Sequence, residues 1–173
     1  HECVAITDHE TISSYIKAEK YYNKIKKEHP DFKLIRGNEI YLCRNGLNAN
    51  NYNREVDRYY HFILLAKDAI GHKQIRELST RAWLRSYLTG KMRRVPTYYQ
   101  DLLDIVAPDP GHIIATTACL GGFLGTKLLH WRMMTEIGRS DDYYTKIKYW
   151  LRSITLRNCC FKRLAFFSQK SIQ

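Results

Sequence analysis

Short apolar runs typical of strands alternate with amphipathic segments along most of this chain. The first run, Val4 to Thr7, is rich in β-branched residues, and it is followed by a segment, Glu10 to Glu28, whose apolar residues recur at helical spacing. The same strand-then-helix order appears again further along. Strands joined through helices favour an α/β fold with a parallel sheet, either wound on both faces or closed as a barrel.

Four strands and three helices are predicted in this way. The predicted strands are Val4–Thr7, Lys33–Leu42, Tyr59–Ala66 and His112–Ala118. The predicted helices are Glu10–Glu28, Gly71–Leu88 and the shorter Tyr98–Val106, and the pair Gly121-Gly122 suits a tight turn into a further helix. Because four strands cannot close a barrel, we expect an incomplete barrel of four or five mostly parallel strands with the helices outside.

The composition fits one domain with a packed core, since 45% of the 173 residues are hydrophobic. The longest uncharged apolar stretch, Ile113 to Gly125, is too short to cross a bilayer, so no membrane span is predicted. Five cysteines with no CxxC pair argue against a disulfide framework and predict a reducing, cytoplasmic location. The first residues show neither a starting Met nor a signal sequence, so we expect the chain to begin inside a larger protein.

The net charge of +11 is concentrated near the end of the chain. From Tyr143 to Gln173 there are seven basic residues and no acidic one, and the remainder carries 21 basic and 17 acidic residues. The pI is therefore weak evidence for DNA binding. We divide the chain into a domain over residues 1–150 and an atypical basic tail over residues 151–173, for which we expect a shifted reading frame or a misassigned gene end rather than a DNA-binding arm.

Three of the four predicted strands end at, or lie next to, a residue able to bind a metal ion. These residues are Asp8 with His9, then Glu39, then Cys119. In an α/β barrel the carboxyl ends of the strands meet on one face, where catalytic sites are built. His61 fits less well, because it stands at the start of its predicted strand.

Each of these residues also has an ordinary explanation. Glu39 alone could be a surface carboxylate, and a cysteine on an apolar strand is usually a small buried hydrophobe. A second group consists of Lys91, Arg93 and Arg94, which we interpret as a solvated basic patch. The functional alternative is that they contact nucleic-acid phosphates.

The order of these motifs resembles the PHP domain (polymerase and histidinol phosphatase domain) of the bacterial-type DNA polymerase III alpha subunit. The resemblance covers roughly Cys3 to Trp150 and is strong because several motifs occur in order. They are Thr7-Asp8-His9, Gly37-Asn38-Glu39, Asp57 to Lys67 around His61, Gly71 to Ser79, and Ala118-Cys119-Leu120-Gly121-Gly122.

The resemblance implies a distorted seven-stranded β/α barrel that holds up to three metal ions, usually zinc or manganese. Such a site hydrolyses phosphoester bonds, and in some polymerases it proofreads the 3′ end. Matched motif by motif, the metal ligands would be His9, Glu39, His61 and Cys119. Asp8 would hydrogen-bond to His9 and orient it.

This sequence departs from the family at both ends. The His-x-His motif would lie before His1, and the closing Asp-x-His motif is absent, since no Asp follows Asp142 and no His follows His130. We therefore expect part of the PHP domain of a replicative polymerase, whose parent synthesises DNA with other replisome subunits. For this chain alone we expect weak or absent metal binding and no activity. Two alternatives remain at this point, a free-standing phosphoesterase of the histidinol phosphatase type and a scaffold domain without metals.

Overall fold

The computed structural model describes the backbone of residues 2–136 and the side chains of residues 2–129. The strands in this part of the chain are β1 (Cys3–His9), β2 (Lys33–Cys43), β3 (Tyr60–Ala66), β4 (Tyr87–Thr89), β5 (Met92–Arg94), β6 (Pro96–Tyr98) and β7 (Ile113–Thr116). The helices are α1 (Tyr15–Glu28), α2 (Ala69–Leu84), α3 (Tyr99–Ile105) and α4 (Phe123–Glu136). The basic tail of residues 151–173 lies outside the described residues.

Five of these strands form one sheet in the order β1-β2-β3-β7, with β6 also paired to β2. The pairs β1 with β2 and β2 with β6 are parallel, whereas β2 with β3 and β3 with β7 are antiparallel. Four strands therefore point the same way and β3 is reversed. The α/β class is confirmed, but the described sheet is mixed, and the described residues do not close it into a barrel.

The central strand β2 separates the two faces of the sheet. Successive strand residues point to opposite faces, so Ile40 and Leu42 lie on one face while Glu39 and Tyr41 lie on the other. Ile40 and Leu42 are 2% and 4% exposed, and they belong to the core with apolar residues of β3, α2, α3 and β7. The other face of β2 carries the polar side chains of Glu39 and Tyr41.

Several boundaries differ from the sequence prediction. Helix α1 begins at Tyr15 rather than Glu10, because the intervening residues form a loop that leaves β1. Helix α2 ends at Leu84, and the residues after it form a β4–β5 hairpin that turns at Gly90, whose φ is +61°. The short strands of this hairpin carry too few residues for a recognisable period of two.

The loop after β1 is fixed by the buried side chain of Asn38. Its amide nitrogen donates to the carbonyl oxygens of Asp8 at 2.9 Å and Thr11 at 2.7 Å. Asn38 is 0% exposed. Its amide therefore supplies the two carbonyl oxygens with hydrogen bonds from a side chain that water does not reach. The end of β1 is thereby held against β2, and His9 with it.

No helix in residues 2–136 is long and apolar enough to span a membrane.

Replacing Asn38 tests this anchoring. We expect Asn38→Ala to lower the free energy of unfolding by about 2–4 kcal/mol, because two hydrogen bonds are lost and a cavity is left in the sheet. Chemical denaturation monitored by circular dichroism measures the change. The exposed Asn23 on α1 supplies the control, and Asn23→Ala should change stability by less than about 0.5 kcal/mol. Equal effects of the two substitutions would contradict the anchoring role.

Candidate metal centre

The structure brings the four predicted ligands together on the polar face of the sheet. The Nδ1 atom of His61 lies 2.8 Å from Oε1 of Glu39, and Nδ1 of His9 lies 3.6 Å from the same oxygen. Sγ of Cys119 lies 3.4 Å from Nδ1 of His61. The cluster is asymmetric in burial, because the side chain of Glu39 is 13% exposed and that of His9 is 61% exposed.

The reversal of β3 explains how His61 reaches this cluster. The parallel sheet expected from the sequence placed the start of β3 far from the carboxyl ends of its neighbours. In the antiparallel β2–β3 pair, His61 instead stands opposite Tyr41, two residues beyond Glu39. The unexpected position of His61 in the sequence is thus a consequence of strand direction.

Cys119 arrives through the turn that follows β7. Because β7 is antiparallel to β3, its carboxyl end lies beside the start of β3, with Thr116 opposite Ile63. The turn is closed by a hydrogen bond from the Gly122 amide to the Cys119 carbonyl at 2.9 Å. A Cβ atom at Gly122 would lie 2.3 Å from the Thr117 carbonyl oxygen, so this close approach requires glycine.

The neighbouring Gly121 attaches this turn to β3. Its carbonyl accepts from the His61 amide at 3.2 Å, and its own amide donates to Sγ of Cys119 at 3.3 Å. The turn therefore positions the Cys119 sulfur beside His61.

Tyr41 lies among these side chains although the sequence analysis did not select it. Its ring stacks on that of His61 with centroids 4.7 Å apart and planes at 18°. Its hydroxyl lies 3.2 Å from Nδ1 of His9. Burial, with the nearby carboxylates of Glu10 and Glu39, raises the pKa of this phenol, so it stays neutral.

Glu10 is a second neighbour that the sequence did not reveal. Its backbone is in the left-handed region at φ 58°, held by a bond from its amide to the Glu39 carbonyl at 2.8 Å and by Trp83, whose indole donates to the Glu10 carbonyl at 2.8 Å. Burial raises the pKa of the Glu10 carboxyl to about 7. A hydrogen bond from the Val95 amide and the positive charge of Arg94 oppose this rise but are smaller effects. Its Oε1 atom is buried without a hydrogen-bond partner.

The predicted role of Asp8 is wrong. Adjacent residues of a strand point to opposite faces, so the Asp8 side chain turns away from His9. Its carboxylate accepts from the amide of Ser14 at 3.1 Å and from the Ser14 hydroxyl. Asp8 therefore secures the start of α1 on the helix side of the sheet.

The basic residues Lys91, Arg93 and Arg94 lie on the β4–β5 hairpin. Lys91 and Arg93 are exposed, whereas Arg94 turns inward and places its guanidinium 4.9 Å from the ring centroid of Tyr59. The charge of Arg94 opposes, without cancelling, the rise that burial causes in the pKa of Glu10 and of Tyr41. The hairpin thus flanks the metal-ligand candidates, with two of its three cations facing solvent.

The chemistry of the donor set fits a divalent metal such as zinc, since two imidazoles, a carboxylate and a thiol are all zinc ligands. Two ligand atoms of one tetrahedral zinc are about 3.3–3.8 Å apart at normal bond lengths, and the separations of 3.4 and 3.6 Å lie in that range. The contact of 2.8 Å between His61 and Glu39 is instead a hydrogen bond.

Among the side chains of residues 2–129, no three His, Cys, Asp or Glu already stand in a metal-binding arrangement. The reason is that the donor atoms are directed at one another in pairs, with His61 shared between Glu39 and Cys119. A cation would have to replace the hydrogen bond between Glu39 and His61.

Comparison with known proteins shows the family of the chain. The family model of the PHP domain matches residues 1–161, and the chain belongs to that family. Domains of this family generally bind divalent metal ions.

Two groups of curated relatives are similar to the chain. It is 45% identical over 143 residues to "Probable DNA polymerase YorL" of Bacillus subtilis (strain 168) and to "DNA-directed DNA polymerase" of Bacillus phage SPbeta, which covers 80% of the chain and 11% of each relative. It is 29% identical over 129 residues to "DNA polymerase III subunit alpha" of Borreliella burgdorferi, covering 73% of the chain and 10% of the relative. The chain thus spans about a tenth of the length of these relatives.

Tyr41 and Glu10 were missed for different reasons. Tyr41 stands two residues after Glu39 on the same strand, so period-two alternation alone could have placed it on the same face. Glu10 depends on the loop after β1 and on contacts with Trp83 and Val95, which are distant in sequence. No local pattern predicts those contacts.

The buried carboxyl of Glu10 predicts a pH-dependent stability. Its pKa is about 7 in the folded protein and lower when unfolded, so the folded state binds the extra proton and loses stability as the pH rises toward 7. We expect Glu10→Gln to remove this loss and to raise stability at pH 8 by on the order of 1–2 kcal/mol, with little effect near pH 4.

Denaturant unfolding at a series of pH values from 4 to 8 measures this effect. The exposed Glu55 provides the control, and Glu55→Gln should leave the pH profile unchanged. A Glu10→Gln profile parallel to that of the wild type would show that Glu10 has an ordinary pKa.

Proposed function

We propose that the chain is the PHP module of a DNA polymerase of the bacterial DNA polymerase III alpha type, and that His9, Glu39, His61 and Cys119 hold a divalent metal ion in a phosphoesterase site. The observation that carries the proposal is the convergence of these four side chains from β1, β2, β3 and the turn after β7. They are far apart in sequence, and the mixed sheet brings them to one place.

The four side chains would have different roles in such a site. The Glu39 side chain is 13% exposed and so more buried than those of His61 and His9. Its carboxylate would anchor the ion, while the His61 imidazole and the Cys119 thiolate would complete the binding. His9 is 61% exposed at the edge of the site and would face an arriving substrate. A bound zinc or manganese ion would activate water and stabilise charge on a phosphoryl group.

Four ligands match one zinc ion but not three. Because an ion must also replace the hydrogen bond between Glu39 and His61, we expect this chain by itself to take up one ion with modest affinity and to hydrolyse phosphoesters negligibly. Hydrolysis or 3′ proofreading would belong to the longer protein.

The similarity to proteins named DNA polymerase supports DNA-templated DNA synthesis as the function of that longer protein, with DNA and replisome subunits as its partners. The same similarity favours the polymerase branch over a free-standing phosphoesterase. The polymerase reaction would require residues outside this chain.

The β4–β5 hairpin would provide the contact with nucleic acid. Lys91 and Arg93 are exposed and could bind backbone phosphates, whereas Arg94 is engaged with Tyr59 and Thr89 and would support the hairpin instead. Of the three basic residues identified in the sequence, we therefore retain Lys91 and Arg93 as candidates for contact with nucleic acid.

Zinc titration of the 173-residue chain against a chelating dye tests the metal site. We expect no more than one zinc per chain, and we expect Cys119→Ser to weaken binding at least about tenfold because a thiolate ligand is lost. Cys3 is also an exposed free thiol, so Cys3→Ser is the matched control and should leave zinc affinity unchanged.

Two results would overturn the proposal. Equal zinc affinity in Cys119→Ser and wild type would remove Cys119 from the site, and binding of three zinc ions by this chain would contradict the expected single ion.

A further inference from the structure

His112 lies between two carboxylates, one at the start of α2 and one in the loop that leads into β7. Its Nδ1 atom is 2.7 Å from Oδ2 of Asp68, and its Nε2 atom is 3.2 Å from Oδ1 of Asp109. The side chain of His112 is 24% exposed, against 45% for Asp68 and 63% for Asp109. Each ring nitrogen therefore faces its own carboxylate, and the imidazole joins two separate segments of the chain.

The backbone around His112 packs closely on α2. Asp68 is the N-cap of this helix, and its second carboxylate oxygen accepts from the Gly71 amide at 2.9 Å. The His112 carbonyl accepts from the Lys67 amide at 2.9 Å, and a Cβ atom at Gly71 would lie only 2.0 Å from that carbonyl oxygen. The chain entering β7 therefore rests directly on the first turn of α2.

The groups around the imidazole differ in charge. Asp68 and Asp109 are the carboxylates that act on it, from the start of α2 and from the loop before β7. The cation of the adjoining turn, Lys67, donates from Nζ to the Gly111 carbonyl at 2.7 Å. Helix α2 contributes the neutral side chain of Gln74, which donates to the Asp109 carbonyl at 2.7 Å. The ring of His112 thus has two negative neighbours in direct contact.

A neutral imidazole cannot donate to both carboxylates, because it carries a single N–H group and its other nitrogen is an acceptor. We propose that His112 is a pH-sensitive clamp, which ties the loop before β7 to the start of α2 when its ring is protonated and releases Asp109 when it is neutral. Asp109 is the partner that is released, because its contact is the longer one and Asp68 is also held by the Gly71 amide. This inference does not depend on the metal site.

The electrostatics of the cluster define the pH range of the clamp. The hydrogen bond to Asp68, followed by the charges of both carboxylates, raises the pKa of His112 above its ordinary value of 6.5. The hydrogen bonds from His112 and Gly71 lower the pKa of the Asp68 carboxyl from its ordinary value of 3.8. Stability from the raised histidine pKa is complete below pH 6.5 and is lost as the pH rises through the folded value. Stability from the lowered carboxyl pKa is lost as the pH falls through its folded value, so the clamp is complete in mildly acidic solution.

Proton NMR titration of the His112 ring in the 173-residue chain tests the clamp directly, with His112→Gln to identify its resonance. We expect a pKa above 6.5 in the wild type, and we expect Asp109→Asn to lower it because one negative neighbour is lost. Asp68→Asn should lower it further, because the Asp68 contact is the shorter one. Glu55→Gln removes the same charge from an exposed residue of a different loop, and it should leave the His112 pKa unchanged.

The release of the loop has its own measurement. Carbon-13 relaxation at the Cα atoms of Asp109 and Gly111 should show greater mobility at a pH above the folded pKa of His112 than at a pH below 6.5 in the wild type. In Asp109→Asn the loop should show the greater mobility at both pH values, because the charged contact is absent throughout. The Asp109 side chain is 63% exposed, so this variant keeps the packing of the fold.

Any of four results would overturn the clamp. The first is a His112 pKa at or below 6.5 in the wild type, and the second is a pKa that does not respond to Asp109→Asn. The third is an equal fall in Glu55→Gln, which would show that the effect comes from net charge rather than from the two contacts. The fourth is a loop of equal mobility in the wild type on both sides of the His112 pKa.

Discussion

The strand β2 is hydrogen-bonded along both edges, and the site depends on this. It pairs with β1 and β6 on one side and with β3 on the other. These hydrogen bonds fix which face of the sheet each β2 side chain points to. The alternation of a strand then assigns Ile40 and Leu42 to the core and Glu39 and Tyr41 to the polar face. A slip of one residue would bury the carboxylate and expose the core side chains, which makes the register costly to change.

The reversed direction of β3 is the second requirement. A parallel β3 would carry His61 to the opposite end of the sheet from Glu39. The antiparallel strand instead sets His61 beside Tyr41, and the antiparallel β7 returns the chain so that the Cys119 turn follows at the same place. The direction of the strands and the glycine-rich turn together bring the side chains of four separate motifs into one cluster.

The sequence predicted the strand-helix order and the four clustered side chains, because strong apolar periodicity and ordered motifs are local properties. It did not predict the direction of β3, since an apolar run such as Phe62 to Ala66 has the same pattern whichever way it pairs. The role of Asp8 was wrong because neighbouring strand residues face opposite sides. Glu10 was missed because its burial depends on Trp83 and Val95, which only the folded chain brings near.

The central claim is that side chains from four separate segments bind one ion, including a thiolate. Zinc-edge X-ray absorption of the zinc-loaded 173-residue chain tests it most directly, because sulfur and nitrogen or oxygen neighbours scatter differently. We expect one sulfur at about 2.3 Å together with nitrogen and oxygen ligands at about 2.0 Å. A zinc surrounded by oxygen and nitrogen alone, with no sulfur neighbour, would contradict it.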